Sequence, residues 1–287
     1  MSRGRLPLKY AYAGSAAFTH DALARTAGYA EVIGAARFEI ETLLGALTSA
    51  PPWQVAEIGP GNGVHSAEFL RLLGEVSPAG ARRRYLGLDF SATLLALALP
   101  RIAGDCPGVE CASGWWDVEA GATARISAWR DPRHPVLLCL LGHTLGNLED
   151  PTRALRNLAF SAQPGDLLFV SLSLMPPGAD TDAVLAPYRN EVFSAAVLEP
   201  LRAADIEGDS VRLGLSLRGR TVLGEAVFTR PVTLGGHEFR NRDVVRCFTS
   251  ERFLPGEALE ALSRTGWQVR GWAVDGDASH LGVVARR

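Results

Sequence analysis

Glycines at positions 59, 61 and 63 lie inside QVAEIGPGNGVHS (54–66), between a short apolar run and a helix-forming stretch. Val55, Ala56 and Ile58 predict a buried strand, the glycines predict a turn of bare backbone, and HSAEFLRLL predicts a helix. Backbone without Cβ atoms can lie against a ribose or adenosine group, and the free N–H groups of a helix start can donate to it. A plain strand-to-helix turn that needs only positive φ has the same pattern. Asp89 favours the first reading. It ends a second predicted strand, Arg84–Asp89, roughly twenty residues beyond the glycines, where an acidic side chain accepts hydrogen bonds from ribose hydroxyls in a doubly wound sheet.

A second group of polar residues follows the most apolar run of the chain. PVLLCLL (135–141) has the continuous apolar character of a central parallel strand, and it leads directly into Gly142-His143-Thr144-Leu145-Gly146-Asn147. Ligands of open α/β sheets collect at that carboxyl edge. His143 titrates near neutrality and is a candidate base, although a histidine merely packed at a strand end reads the same way. Trp115-Trp116-Asp117-Val118, after a short predicted strand at Val109–Ala112, places two aromatics beside a carboxylate.

The elements that must position these groups follow in order. Spacings of three and four predict helices through residues 1–50, which contain Tyr29, and Pro51-Pro52 ends them. Ser91 and Asp150 can cap helices after the second strand and the 142–147 segment; Pro164-Gly165-Asp166 turns into a strand, LLFVSLSL. From Pro176 the texture changes to a helical stretch over roughly 180–204 with Tyr188, then to alternating runs that predict antiparallel hairpins. A last helix from Pro255 and two strands around Asp275-Gly276-Asp277 close the chain.

The chain has 287 residues, 47% of them hydrophobic and 21% charged, with a formal net charge of −2. That balance suits a soluble enzyme and argues against a nucleic-acid partner, which would require a basic face. No run reaches the ~18 apolar residues of a membrane span, and the start lacks a signal-peptide core, so a cytoplasmic protein is expected. Four cysteines and six histidines show no zinc spacing; reduced thiols and no metal are expected. The oligomeric state is open, with a monomer as the working expectation.

The order of elements is that of a class I S-adenosylmethionine-dependent methyltransferase: an α/β, Rossmann-like seven-stranded sheet. A nicotinamide dehydrogenase shares the opening, but the closing hairpin and the acidic Glu57 before the first glycine favour S-adenosyl-L-methionine as cofactor. More narrowly, LGHTLGNLEDPTRALRNLAFSAQPGDLLFVSLSL resembles the FLGSTIGN segment, acidic residue, helix, PGD and strand of the histidine Nα-methyltransferases of ergothioneine biosynthesis. LPLKYAYAGS with Tyr29 resembles that family's opening, and CFTSERF resembles its Glu-x-Ser-x-Lys-Phe tail.

The resemblance implies a methyltransferase core of residues 51–177 plus 253–287 and an α+β substrate-binding unit of 1–50 plus 178–252. It implies that Gly59 and Gly61 line the methionine and ribose of the cofactor, that Asp89 holds the ribose hydroxyls, and that Asp117 and Val118 lie at the adenine edge. Glu57 and Gly142 would border the same site. Asn147 would orient the α-amino group of a small-molecule acceptor; Tyr29 and Tyr188 would contact its carboxylate or amine; Ser250 matches the serine of the tail. The chain also departs from the family. Phe248 stands where a glutamate grips the histidine imidazole, His143 replaces a small serine, and His65 stands at a lysine near the cofactor carboxylate. The implied reaction is N-methylation of an aromatic or apolar amino acid, or a derivative, rather than of free histidine; O- or C-methylation and cofactor binding without catalysis are the alternatives.

Overall fold

The computed structural model describes residues 4–48, 51–77 and 82–287, so the outer ends of the expected 1–50 unit, 1–3 and 49–50, lie outside the described residues. Three helices, α1 (Ala16–Leu23), α2 (Ala27–Ile33) and α3 (Ala36–Ala46), precede the sheet. Alternation then runs β1 (Gln54–Ile58), α4 (Val64–Glu75), β2 (Arg83–Asp89), α5 (Ala92–Asp105), β3 (Val109–Trp115), α6 (Arg125–Trp129), β4 (Leu137–Leu140), α7 (Pro151–Ser161) and β5 (Leu167–Ser173). The chain leaves for α8 (Thr181–Leu185), α9 (Glu191–Arg202), the hairpin β6 (Val211–Arg218) and β7 (Thr221–Phe228), the small pair β8 (Val232–Leu234) and β9 (His237–Phe239), and β10 (Val244–Glu251). It returns through α10 (Pro255–Arg264), β11 (Gln268–Val274) and β12 (His280–Arg286).

The large sheet has the order β11-β12-β5-β4-β1-β2-β3. Strands β1 to β5 are parallel, and β12 lies antiparallel between β5 and β11. This is the class I methyltransferase arrangement, closed by the expected hairpin. Alternate residues supply two cores. Val55, Leu137, Cys139, Phe169 and Val284 pack under α4 and α5 with Phe69, Leu70 and Ile102. Ala56, Leu138, Leu140, Val170 and Val283 face α7, α10 and Trp267 on the other side. Every residue of β1 and β4 is buried, which is why β4 reads as an unbroken apolar run; β1 also buries Gln54 and Glu57, each hydrogen-bonded inside the protein.

Two expectations need correction. Residues 36–46, grouped from sequence with the substrate-binding unit, pack on the large sheet: Ala36, Ile40 and Leu43 join the cluster of Val55 and Phe69. The strand expected at Val109–Ala112 continues to Trp115, in register with Asp89. As this is the sheet's edge strand, Trp115 is 57% exposed, while Trp116 turns inward and donates from Nε1 to the Gly121 carbonyl at 2.8 Å.

The second unit has its own apolar cluster, in which Leu8, Leu23, Phe193, Val197 and Leu201 meet Val222, Val245 and Phe248 of the three-stranded sheet β10-β7-β6. The four cysteines are unpaired thiols. Among the described residues no helix is long and apolar enough to cross a membrane, and no cluster of three or more metal-ligating side chains exists.

Asp166, at the end of the Pro164 turn, is buried and takes both guanidinium nitrogens of Arg130 at 2.8 and 2.9 Å, together with the N–H groups of Val136 and Gln163. Removing one partner of such a pair leaves the other charge unpaired. Asp166→Ala is therefore expected to lower unfolding stability by about 3–5 kcal/mol, read as a fall in the urea midpoint.

Candidate cofactor and acceptor site

Strand order reverses beside β1, which has β2 on one side and β4 on the other, so a crevice opens at the carboxyl ends of β1 and β4. Gly59 and Gly63 have φ of +72° and +79°, and close approach adds a second reason for glycine. A Cβ at position 59 would lie 2.8 Å from the Thr144 side chain, and one at 63 would lie 2.8 Å from the Ala98 Cα. The turn is thereby pressed between α5 and the 142–147 segment, with Gly61 left facing the cleft.

The cleft holds about 450 Å³ and is lined by Gly59, Gly61, Asp89, Asp117, Val118 and Asn147 among others. That lies within the ~300–1,000 Å³ usual for small-molecule sites. Asp89 is only 5% exposed, and burial pushes its carboxyl up to about 7 against the opposing hydrogen bond from the Ser91 N–H at 2.8 Å. No side-chain donor reaches it among the described residues, so it has acceptor capacity for a ribose diol. Asp117 accepts from the Glu119 N–H at 3.1 Å and from Lys9 Nζ at 3.0 Å. Lys9 belongs to a short 3₁₀ turn, Leu8–Tyr12, that crosses the cleft mouth. Ser91 Oγ donates to the Tyr12 carbonyl at 2.5 Å and fixes the other end of that turn.

Glu57, His65 and Gly142 border the cleft but support it from behind. The Glu57 carboxylate is held by Ser66 Oγ at 3.0 Å and Tyr85 Oη at 2.8 Å, and burial pushes it up to about 7. His65 Nε2 lies 2.8 Å from Glu39, whose other oxygen accepts the Gly142 N–H at 3.2 Å. Burial opposes a charged imidazole here, but Glu39 outweighs it and raises the pKa of His65. Glu39 escaped the sequence reading because it looks like any polar residue of an amphipathic helix; only the packing of α3 on the sheet buries it.

A smaller pocket adjoins the cleft and shares Leu8, Tyr12, His20, Tyr29, His143 and Asn147 with it. Its volume is about 20 Å³, room for roughly one water. Tyr188 and, sixty residues later, Phe248 and Ser250 of β10 meet at its wall. Phe248 stands edge-on to Phe193, with ring centroids 4.9 Å apart, and 5.5 Å from Tyr188. Tyr29 and Tyr12 have hydroxyls raised above the usual phenol range by burial, so both stay protonated. Among the described residues the Asn147 Oδ1 is buried without a hydrogen-bond partner.

His143 does not sit as a base. Its Nδ1 faces the Ser173 N–H at 3.1 Å and its Nε2 faces Arg252 Nη1 at 2.8 Å. Burial and the guanidinium together hold its pKa well below the usual imidazole range.

Sequence reading passed over two residues here. His20, 7% exposed, stands edge-on to Tyr12 and Tyr29 at 4.7 and 5.7 Å, and burial lowers it to about 4. Nothing in its local sequence marks it. Arg252, 6% exposed, touches His143, Ser250 and Tyr188; it lies inside the tail segment already singled out, at the family's lysine. Its guanidinium also lies 5.7 Å from the Tyr188 ring. A cation–π contact contributes about 1–2 kcal/mol, whereas burying a charge costs several, so the ring leaves most of the charge uncompensated.

The sign of the pH effect on cofactor binding follows from Asp89. A ribose diol needs the ionised carboxylate, and protons compete for it below about pH 7. Affinity for S-adenosylmethionine is expected to rise with pH up to about 7 and to level off above it. Asp89→Asn is expected to weaken binding about tenfold or more at about pH 8 and to flatten that dependence, as calorimetric titrations would show.

No curated protein matches the chain significantly. Among solved structures, an S-adenosylmethionine-dependent methyltransferase from Mesorhizobium loti is 18% identical, covering 88% of this chain and 99% of its own, with a TM-score of 0.44. The sugar N-methyltransferase KedS8 from a Streptoalloteichus species is 13% identical over 94% and 93%, with a TM-score of 0.49. The CcbJ methyltransferase from Streptomyces caelestis is 15% identical over 98% of each chain, with a TM-score of 0.46. The model of the family described as histidine-specific methyltransferase, SAM-dependent, matches residues 30–196, more than half of the chain. With that match over the glycine turn, Asp89 and the 142–147 edge, the chain belongs to the S-adenosylmethionine-dependent, histidine-specific methyltransferase family.

Proposed function

We propose that the enzyme transfers the methyl group of S-adenosylmethionine to the α-amino group of an amino acid or amino-acid derivative with an aromatic or apolar side group. The observation that supports this most is the Asn147 Oδ1, a buried acceptor without a donor at the junction of cleft and cavity. An unmet acceptor of this kind costs about 1–3 kcal/mol, and an incoming N–H removes that cost. An amine can donate to Asn147 and keep its lone pair for the methyl carbon. The sulfonium brings an already activated methyl group, so the protein's part is alignment and exclusion of water.

In this reading Gly59, Gly61 and Asp89 hold the cofactor, with Asp117 and Val118 at its adenine edge. Residues 4–33 and 178–252 supply acceptor recognition through Tyr29, Tyr188, Phe248 and Ser250. The acceptor enters as the free amine in this reading, because a neutral imidazole has a single lone pair and that of His143 is engaged by the Ser173 N–H or the Arg252 guanidinium. Phe248 supports an apolar side group. Its ring packs with Phe193 and Tyr188 and offers no acceptor to an imidazole N–H. Since the inner cavity holds only about 20 Å³, a side group larger than that requires α9 and β10 to part from the Leu8–Tyr12 turn.

Asn147→Ala is expected to lower the rate of amine methylation by about 10²–10³-fold while S-adenosylmethionine binding stays within about twofold. Full turnover in that variant would sink the assignment, and fragmentation spectra placing the methyl group on oxygen would move the enzyme to the O-methylating alternative. Phe248→Ala is expected to cost about 3–5 kcal/mol of stability and to admit bulkier acceptors, read by thermal unfolding and by mass spectrometry of an amino-acid panel.

A further inference from the structure

We propose that Arg252 is a positioning residue that turns the inner end of the acceptor pocket into a carboxylate site, by making Tyr188 and Ser250 hydrogen-bond donors toward the acceptor. The inference rests on the amine-methylation reading for the acceptor's other end. Arg252 leaves the end of β10 just before the chain rejoins the large sheet, where Phe253 pairs with Leu174. Its Nη1 donates to Ser250 Oγ at 3.2 Å and faces His143 Nε2 at 2.8 Å, and its Nη2 donates to the Tyr188 hydroxyl. None of the three is an anion. The contrast with Arg130, equally buried but paired with the Asp166 carboxylate, shows how this fold otherwise handles an interior guanidinium.

A hydroxyl that accepts from a guanidinium must send its own proton elsewhere. Tyr188 Oη and Ser250 Oγ lie 3.5 Å apart, too far for a strong O–H···O bond, so neither is a full partner for the other's proton. Both residues line the inner pocket, and Arg252, hydrogen-bonded to both, is not among its lining residues. The pocket therefore ends in two O–H donors backed by a positive charge that is barely screened by solvent. An ionised carboxyl, with two oxygens that only accept, complements that arrangement; a carboxamide lacks the charge, and a decarboxylated amine lacks both oxygens.

The test uses the full chain loaded with S-adenosylhomocysteine and titrated with α-amino acids, their carboxamides and the matching decarboxylated amines. The acids are expected to bind about tenfold or more tightly than either neutralised series. Arg252→Gln is expected to erase that preference while retaining S-adenosylhomocysteine, and Arg252→Lys to keep part of it. Equal binding of acids and amides, no binding of any acid, or an undiminished preference in Arg252→Gln would overturn the proposal. Should Arg252→Gln lose S-adenosylhomocysteine, the wild-type preference and the Arg252→Lys comparison decide. A bound acid methylated on oxygen would overturn the amine reading and leave the carboxylate site standing.

Discussion

β1 and β4 are buried on both faces, and the rest of the molecule follows from that constraint. A strand enclosed by helices on either side has no solvent face, so the polar side chains that β1 carries, Gln54 and Glu57, are hydrogen-bonded within the protein, and ligands reach only the strand ends. Reversal of strand order beside β1 opens the crevice at that edge. Gly59 and Gly63 close the turn tightly enough for Thr144 and Ala98 to pack on it, and Asp89 arrives from the neighbouring strand. The cofactor site is thus a consequence of how the sheet is covered.

Interior charge organises what surrounds that edge. Glu57 anchors the turn through Ser66 and Tyr85, while Glu39 links α3, α4 and the start of the 142–147 segment through His65 and the Gly142 N–H. These groups hold the walls, and their hydrogen bonds are largely satisfied within the protein. The groups left unsatisfied differ in position as well as in state. Among the described residues the Asn147 Oδ1 has no partner, Asp89 has spare acceptor capacity, and Arg252 has no carboxylate; the first two line the cleft, and Arg252 touches Tyr188 and Ser250 of the cavity beside it. In a buried setting an unmet polar group is costly; other buried atoms without partners, such as Trp129 Nε1 and Ser216 Oγ, lie away from the cleft, whereas the Asn147 Oδ1 lines it, where a ligand can reach.

In the proposed reading the second unit supplies the acceptor's wall. Its helices and the β10-β7-β6 sheet bring Tyr188, Phe248 and Ser250 to one wall, and residues 4–6 pair with β10 so that the N-terminal turn crosses the cleft. The Lys9–Asp117 pair and the Ser91–Tyr12 hydrogen bond fasten that turn to the core. The inner pocket and the cleft are therefore joined at Tyr12, His20, Tyr29 and Asn147, which line both.

By itself the sequence determined the alternating core, the glycine turn, Asp89 and the 142–147 edge, because these depend on local periods and on residue types that backbone geometry demands. It also revealed the substitution at Phe248, because that required only a short motif for comparison. Tertiary structure alone decided that α3 belongs to the large sheet, that Glu57 and His65 brace the cleft from behind, and that His143 faces donors rather than an amine. It alone brought His20 to the wall of the inner pocket and Arg252 against Tyr188 and Ser250. Burial and hydrogen-bond partners are properties of elements distant in the chain, and no local pattern records whether a polar side chain will end in solvent or against an unsatisfied group.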